Sequence, residues 1–177
     1  MAATRIKLLV SDVDGVWTDG KIIYVDDQRE IKEFNVRDGL AVKLAQRAGI
    51  EVAVVTSRSS KALELRCREL GIVEIRQGAE DKLDAVKQML TARSLTFEQL
   101  CYIGDDLPDL PVLNNAAISA APSDASPEVL KTVRWKLEAR GGNGALRELV
   151  ETLLRARGEW DAIVESFHGA KISLQSN

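Results

Sequence analysis

The chain has 177 residues, with 24 Lys and Arg against 27 Asp and Glu and a formal net charge of −3. The length fits one domain, and 45% hydrophobic with 29% charged residues excludes disorder as the main state. The slightly acidic balance, without a basic cluster, argues against nucleic acid as a partner.

The sequence also argues against sites built on cysteine or histidine and against a membrane-spanning protein. Cys67 and Cys101 lie far apart, and His168 is the single histidine, so neither a disulfide framework nor a thiolate or imidazole zinc site is expected. Apolar runs such as residues 52–55 are too short to span a bilayer, and the N-terminus lacks the apolar core of a signal peptide. We therefore expect a cytoplasmic protein, with no membrane partner, whose chemistry rests on carboxylates and a metal.

Short apolar runs alternate with helical patterns along the chain. Residues 6–11 and 51–55 are typical of buried strands, whereas residues 37–48 place apolar side chains at helical spacing. Pro122 and Pro127 indicate loops. In chain order we predict a strand at 6–11, a β-hairpin from 21–25 and 30–36, a helix at 37–48, a strand at 51–55, a helix from 59 or 60 to 70, a weak strand at 73–76, a helix at 81–92, a strand at 100–103, a short helix at 109–114, strands at 116–120 and 133–137, and a helix from 145 to about 157.

This alternation predicts an α/β fold. Strands separated by helices form a parallel sheet covered on both faces, here Rossmann-like, with a small hairpin insertion at about residues 20–36 after the first strand. No linker or repeat divides the chain, so residues 1–168 are expected to form one domain. Residues 169–177 have no periodicity and are expected to be a mobile tail.

Polar side chains gather at the predicted carboxyl ends of the strands, where open α/β sheets bind their ligands. Several carboxylates on one rim repel one another unless a cation neutralises them, and oxygen ligands favour Mg²⁺ or another hard divalent ion. The residues that converge in this way are Asp12, Asp14, Thr56, Lys82, Asp105, Asp106 and Asp109.

Such a site suits phosphoryl transfer. A carboxylate beside bound Mg²⁺ can attack phosphorus and form an acyl phosphate. The Thr56 hydroxyl and the Lys82 ammonium would hold the phosphoryl oxygens. Asp14 would protonate the leaving oxygen and then activate the water that hydrolyses the intermediate.

At these positions the chain resembles the haloacid dehalogenase superfamily of phosphatases, whose four motifs occur here in order. The matching positions are residues 12–16 (DVDGV) with Thr18, then Thr56, then Lys82, then residues 104–106 (GDD) with Asp109. Residues 12–20, 34–39, 104–111 and 141–148 further resemble the 3-deoxy-D-manno-octulosonate 8-phosphate phosphatases, and this likeness extends to about Phe167.

The resemblance implies hydrolysis of an eight-carbon sugar-acid phosphate for bacterial envelope (lipopolysaccharide) synthesis. It makes Asp12 the nucleophile and Asp14 the general acid/base, with Mg²⁺ held by Asp12, the Asp14 carbonyl and Asp105. Asp109 would support the metal or Lys82, while Asp106 is either a supporting residue or a helix cap. Arg58 and Arg66 would bind the sugar acid.

The resemblance also implies quaternary structure. The enzymes in question have no large cap domain and are homotetramers, in which the hairpin and C-terminal segment of neighbouring subunits close the site. The short insertion at residues 20–36 fits this arrangement, because it cannot fold as a cap by itself.

Alternative functions remain open at this point. A related branch cleaves nine-carbon 2-keto sugar-acid phosphates, and another, smaller sugar phosphate is also an alternative substrate. Arg58 and Glu69 favour the eight-carbon substrate over the nine-carbon one. A phosphate-accepting receiver domain lacks an equivalent of Asp14, and a non-catalytic assembly domain would not need Asp12. Three positions depart from the pattern: Ser57 replaces a Gly, Trp17 a Leu and Asn143 an Arg.

Overall fold

The computed structural model describes residues 2–27 and 29–168. Its strands are β1 (Leu8–Ser11), β2 (Ile23–Asp26), β3 (Arg29–Ile31), β4 (Glu51–Val55), β5 (Ile75–Arg76), β6 (Leu100–Ile103), β7 (Ile118–Ala121) and β8 (Trp135–Lys136). Its helices are α1 (Val36–Arg47), α2 (Lys61–Leu70), α3 (Lys82–Ala92), α4 (Leu110–Leu113), α5 (Pro127–Thr132), α6 (Ala145–Ala156) and α7 (Trp160–His168).

Six strands form one parallel sheet in the order β5-β4-β1-β6-β7-β8. Side chains of β1 alternate between its two faces: Leu9 joins the core beneath α1, α2 and α6, whereas Leu8 and Val10 join the core beneath α3, α4 and α5. The predicted α/β class, with helices on both faces and no large cap domain, is confirmed.

Several predicted element boundaries were wrong for local reasons. The first strand begins at Leu8 because residues Ala3–Arg5 form a 3-10 turn. Helix α1 begins at Val36, where the Asn35 side chain accepts a hydrogen bond from the Arg37 amide at 2.8 Å. Pro127, predicted in a loop, begins α5, since proline is well tolerated in the first turn of a helix.

Helix α7 was not predicted. It follows Gly158 and packs against α6, burying Trp160 beneath the guanidinium of Arg155. No helix in the part of the chain that the structure describes is long and apolar enough to cross a membrane. The predicted tail, residues 169–177, lies outside the described residues.

Strands β2 and β3 form the predicted hairpin, apart from the main sheet. Ile23 lies opposite Ile31, and Tyr24 lies opposite Glu30. Because successive side chains of a strand point to opposite faces, Ile31 lies on one face while Glu30 and Lys32 lie on the other. Ile23 and Ile31 are exposed by 47% and 51%. The hairpin therefore has one apolar face without a partner among the described residues and one charged face.

Candidate active site

The carboxyl ends of the central strands β4, β1 and β6 open into one cavity of about 260 Å³. Parallel neighbours end at the same sheet edge, so residues far apart in sequence meet there. Every residue that the strand-end pattern selected lines this cavity: Asp12, Asp14, Thr56, Lys82, Asp105, Asp106 and Asp109. Arg58 lines it as well.

Lys82 lies between two carboxylates. Its Nζ is 3.0 Å from Oδ2 of Asp12 and 2.8 Å from Oδ1 of Asp109, and its side chain is 4% exposed. Burial lowers the pKa of Lys82, but the charges of Asp12 and Asp109 outweigh burial and raise it above its usual value. Lys82 therefore remains a fixed cation beside Asp12.

Asp109 is the organising residue of the cluster. Its Oδ1 accepts hydrogen bonds from Lys82 Nζ at 2.8 Å and from the Tyr102 hydroxyl at 2.6 Å. Its Oδ2 accepts from the backbone amides of Asp105 at 3.1 Å and Asp106 at 3.2 Å. Both oxygens of this fully buried carboxylate are thus engaged, so Asp109 orients Lys82 and the loop after β6.

Asp12, Asp105 and Asp109 place carboxylate oxygens within 4.8 Å of one another. Burial, followed by the charge of Asp109, raises the pKa of Asp12 to about 6. Burial, followed by the charges of Asp12 and Asp109, raises the pKa of Asp105 to about 8. Carboxylates crowded in this way are ionised readily only beside a cation, and an all-oxygen donor set suits a hard divalent ion. The residues present therefore fit Mg²⁺.

Two glycines allow the close approach of these carboxylates. Gly15 adopts φ +85°, and a Cβ there would lie 2.1 Å from Oδ2 of Asp105. A Cβ at Gly104 would lie 2.3 Å from Cγ of Asp109. Both distances are far below van der Waals contact, so any larger residue at either position must displace an acid of the cluster.

Trp17 is buried and hydrogen-bonded beneath the loop that carries Asp12. Its indole nitrogen donates to the Ser11 hydroxyl at 2.8 Å, and that hydroxyl donates to the Asp12 carbonyl at 2.6 Å. Trp17 is 1% exposed. This departure from the family pattern is therefore accommodated by a polar partner inside the core.

The Asp14 carboxylate contacts two cations, Lys32 just after the hairpin strand β3 and Arg58 after β4. Its Oδ1 accepts a hydrogen bond from Lys32 Nζ, and its Oδ2 lies 3.7 Å from Nε of Arg58. Arg58 in turn donates to Glu30 at 2.9 Å.

Sequence reasoning missed Glu30, Lys32 and Tyr102. Charges at alternate positions of the hairpin were the available signal for the first two, whereas Tyr102 resembled any aromatic residue of a buried strand.

Arg66 and Asp106 differ in their surroundings from the central acids. Arg66 lies on α2, pairs with Glu69 at 3.1 Å and lines a separate cavity with Lys32 and Phe34. Its part in binding substrate stays a prediction. The Asp106 side chain is exposed at the rim of the catalytic cavity, and its backbone amide donates a hydrogen bond to Asp109.

This geometry is that of a hydrolase of the haloacid dehalogenase-like class. A buried Asp in contact with a buried Lys, and a second Asp two residues later, lie at the edge of a parallel sheet. A sequence profile of haloacid dehalogenase-like hydrolases matches residues 68–149.

Comparison with individual relatives identifies the family within this class of hydrolases. The 3-deoxy-D-manno-octulosonate 8-phosphate phosphatase of Salmonella typhi is 42% identical over 159 residues, which cover 90% of this chain and 85% of the relative. The chain belongs to the family of 3-deoxy-D-manno-octulosonate 8-phosphate phosphatases.

Solved structures agree. The enzyme of that name from Moraxella catarrhalis, crystallised with magnesium, phosphate and the sugar acid, is 37% identical and superposes with a TM-score of 0.91 over 94% of this chain and 95% of that one. The cobalt-bound form from Haemophilus influenzae is 38% identical, with a TM-score of 0.90 over 95% of this chain and 99% of that one.

Proposed function

We propose that the chain is a Mg²⁺-dependent phosphatase that hydrolyses 3-deoxy-D-manno-octulosonate 8-phosphate to the free sugar acid and phosphate. The observation that carries this proposal is the buried contact between Asp12 and Lys82 inside the three-carboxylate cluster. Together with 42% identity to an enzyme of that name, it favours an aspartyl-phosphate mechanism on this substrate.

In the first step a carboxylate oxygen of Asp12 forms a bond to phosphorus while the bond between phosphorus and the sugar oxygen breaks. Asp14 gives its proton to the leaving sugar oxygen. The Lys82 ammonium and the Thr56 hydroxyl bind the phosphoryl oxygens, where negative charge accumulates. The products are the free sugar acid and an aspartyl phosphate on Asp12.

In the second step water attacks the phosphorus of the aspartyl phosphate. Asp14, now ionised, takes the proton of that water, so one residue serves as acid and then as base. The bond between Asp12 and phosphorus breaks, which releases inorganic phosphate and restores the Asp12 carboxylate. Both steps place Asp14 within reach of the oxygen atom on the far side of phosphorus from Asp12.

The metal would be held by the carboxylates of Asp12 and Asp105 and by the backbone carbonyl of Asp14. When bound, Mg²⁺ neutralises charge on the phosphoryl oxygens and makes phosphorus more electrophilic. Asp109 takes no direct part in this binding, because both of its oxygens are occupied by donors. It supports the site by holding Lys82 and the amide of Asp105 in place.

Arg58 is the proposed ligand of the substrate carboxylate. It borders both the catalytic cavity and a larger neighbouring cavity of about 660 Å³, which would hold the sugar. The planar guanidinium matches a carboxylate in two hydrogen bonds. Arg66 is proposed as a second cation for the sugar acid. A nine-carbon 2-keto sugar-acid phosphate is the alternative substrate.

The test is phosphate release by the purified protein with Mg²⁺. The panel contains the eight-carbon ketoacid 8-phosphate, a nine-carbon 2-keto acid 9-phosphate and glucose 6-phosphate. We expect a strong preference in kcat/KM for the first, abolished by EDTA and restored by added Mg²⁺. Preference for the nine-carbon compound would move the substrate assignment, and no turnover of any would contradict the proposed function.

We further propose a homotetramer in the cytoplasm, built from one phosphatase domain (residues 1–168) per chain with residues 20–36 as a flap. A pair of short strands is barely stable alone in water. The exposed apolar face of the hairpin at Ile23 and Ile31 supports association with neighbouring copies. Association there would help to close the site.

Replacing Ile31 with Asp should break the tetramer, because it puts a charge in the centre of the apolar face of the hairpin. The measurement is the molar mass by size-exclusion chromatography with light scattering. Val73→Asp is the matched control: Val73 is 93% exposed and lies on the loop between α2 and β5, outside the hairpin segment. A tetramer that survives Ile31→Asp would contradict assembly through this face.

A further inference from the structure

Lys32 is a buried cation that the four sequence motifs do not include. Its side chain is 3% exposed, its Nζ donates a hydrogen bond to Oδ1 of Asp14, and the same nitrogen lies 3.8 Å from Oε1 of Glu30. An ammonium group loses much hydration free energy on burial, so it is buried only where carboxylates compensate it. The ion pair with Asp14, and not contact with solvent, therefore stabilises the Lys32 ammonium group in this position.

The hairpin determines this placement. Ile31 occupies the outer face, so the residues on either side of it, Glu30 and Lys32, turn inward. Glu30 engages Arg58 at 2.9 Å, which leaves Lys32 as the hydrogen-bonded partner of Asp14. The nitrogen Nε of Arg58 is 3.7 Å from Oδ2 of Asp14, beyond hydrogen-bond distance.

We propose that Lys32 is a positioning residue for Asp14, and this inference rests on the acid/base role assigned to Asp14 above. With Oδ1 held by Lys32, the Asp14 carboxylate keeps one orientation and leaves Oδ2 for proton exchange. In the proposed mechanism Oδ2 gives a proton to the sugar oxygen and later takes one from water. The position of Oδ2 must therefore stay the same through both steps. Through Lys32, the position of the hairpin thus determines the position of the Asp14 carboxylate.

The first test compares Lys32→Met, Lys32→Gln and Lys32→Arg. We expect Lys32→Met to lower kcat by about 10–100-fold, as loss of a supporting contact does, with little change in KM. Lys32→Arg, which keeps the charge, should recover part of the loss. Lys32→Gln keeps a donor without charge and serves if Lys32→Met fails to fold. Lys21→Met is the control, since Lys21 is 75% exposed at the base of the same hairpin.

The second test places Lys32→Met in an Asp14→Asn background. If Lys32 acts through Asp14, the double variant should be no slower than Asp14→Asn alone. If Lys32 binds the substrate directly, its loss should appear in full on both backgrounds, and that result would overturn the proposal.

An aryl phosphate separates the two proton transfers. The nitrophenolate of p-nitrophenyl phosphate leaves without a proton, so Lys32→Met should form the aspartyl phosphate readily and hydrolyse it slowly. We expect a rapid burst of nitrophenol that approaches one equivalent per site, which a general loss of structure would not produce. A uniform slowing without a burst would contradict the inference.

The outcomes also separate this inference from the proposed function. If Asp14→Asn turns over the sugar phosphate as fast as the unmodified enzyme, the acid/base assignment itself fails. If Asp14→Asn is slow but Lys32→Met is not, only the role of Lys32 fails.

Discussion

Asp12→Asn should abolish phosphate release, with a loss of about 10⁴-fold or more, because a neutral amide does not attack phosphorus. The amide has nearly the shape of the carboxylate, and its oxygen can still accept a hydrogen bond from Lys82. The fold and the assembly should therefore be unchanged. The measurement is phosphate release with Mg²⁺, together with the mass of acid-quenched enzyme during turnover. The unmodified enzyme should gain one phosphoryl group and the variant none.

The matched control for this loss is Asp161→Asn, which makes the same chemical change on the exposed surface of α7. Its turnover and its phosphoryl adduct should equal those of the unmodified enzyme. Turnover by Asp12→Asn at a rate near that of the control would remove Asp12 from the nucleophile's role.

Asp105→Asn should have opposite effects on activity and on stability. Burial, then the charges of Asp12 and Asp109, raises the pKa of Asp105 from 3.8 to about 8. The metal-free folded protein thus binds more protons than the unfolded chain between these pH values, and its stability falls as pH rises through this window. Asn carries no charge, so the variant avoids this loss.

The measurement for Asp105→Asn is thermal unfolding from pH 5 to pH 9 with EDTA and with Mg²⁺. Without metal at pH 8 the variant should melt a few degrees above the unmodified protein, since about 1 kcal/mol shifts Tm by roughly 2–4 °C at this size. The difference should shrink toward pH 5. Added Mg²⁺ should raise the Tm of the unmodified protein only, and turnover should fall by about 10²–10³-fold in the variant.

Asp161→Asn again provides the control, and it should show neither the gain in Tm nor the loss of the Mg²⁺ response. A lower Tm for metal-free Asp105→Asn at pH 8 would mean that the acidic cluster does not destabilise the metal-free fold.

The fold and the central acids were predictable because their signals are local. A strand such as β4 is an apolar run of its own length. Asp12 and Thr56 directly follow strands, and Asp105 lies two residues after β6. Once the strands are parallel neighbours, their ends must meet. Helix α3 was predictable from the helical spacing of its apolar residues. In the structure Asp81 caps it by accepting a hydrogen bond from the Asp84 amide at 2.9 Å.

What the sequence did not reveal depends on contacts between distant segments. Lys32 reaches Asp14 only through the path of the hairpin, and Tyr102 is set apart from other strand residues only by its bond to Asp109. Helix α7 gains its stability from packing Trp160 on α6 rather than from a strong start signal. Arg66 was selected through family resemblance, and its position relative to a bound sugar cannot be read from spacing.

The hairpin has a consequence for the local stability of the molecule. Two short strands outside the main sheet bury little apolar surface in their own chain, so within this chain the hairpin is held largely by the ion pairs of Lys32 and Glu30. Segments held in this way open before the core does and exchange their amide hydrogens first. The hairpin is thus expected to open before the sheet that carries Asp12, and its opening does not require that sheet to unfold.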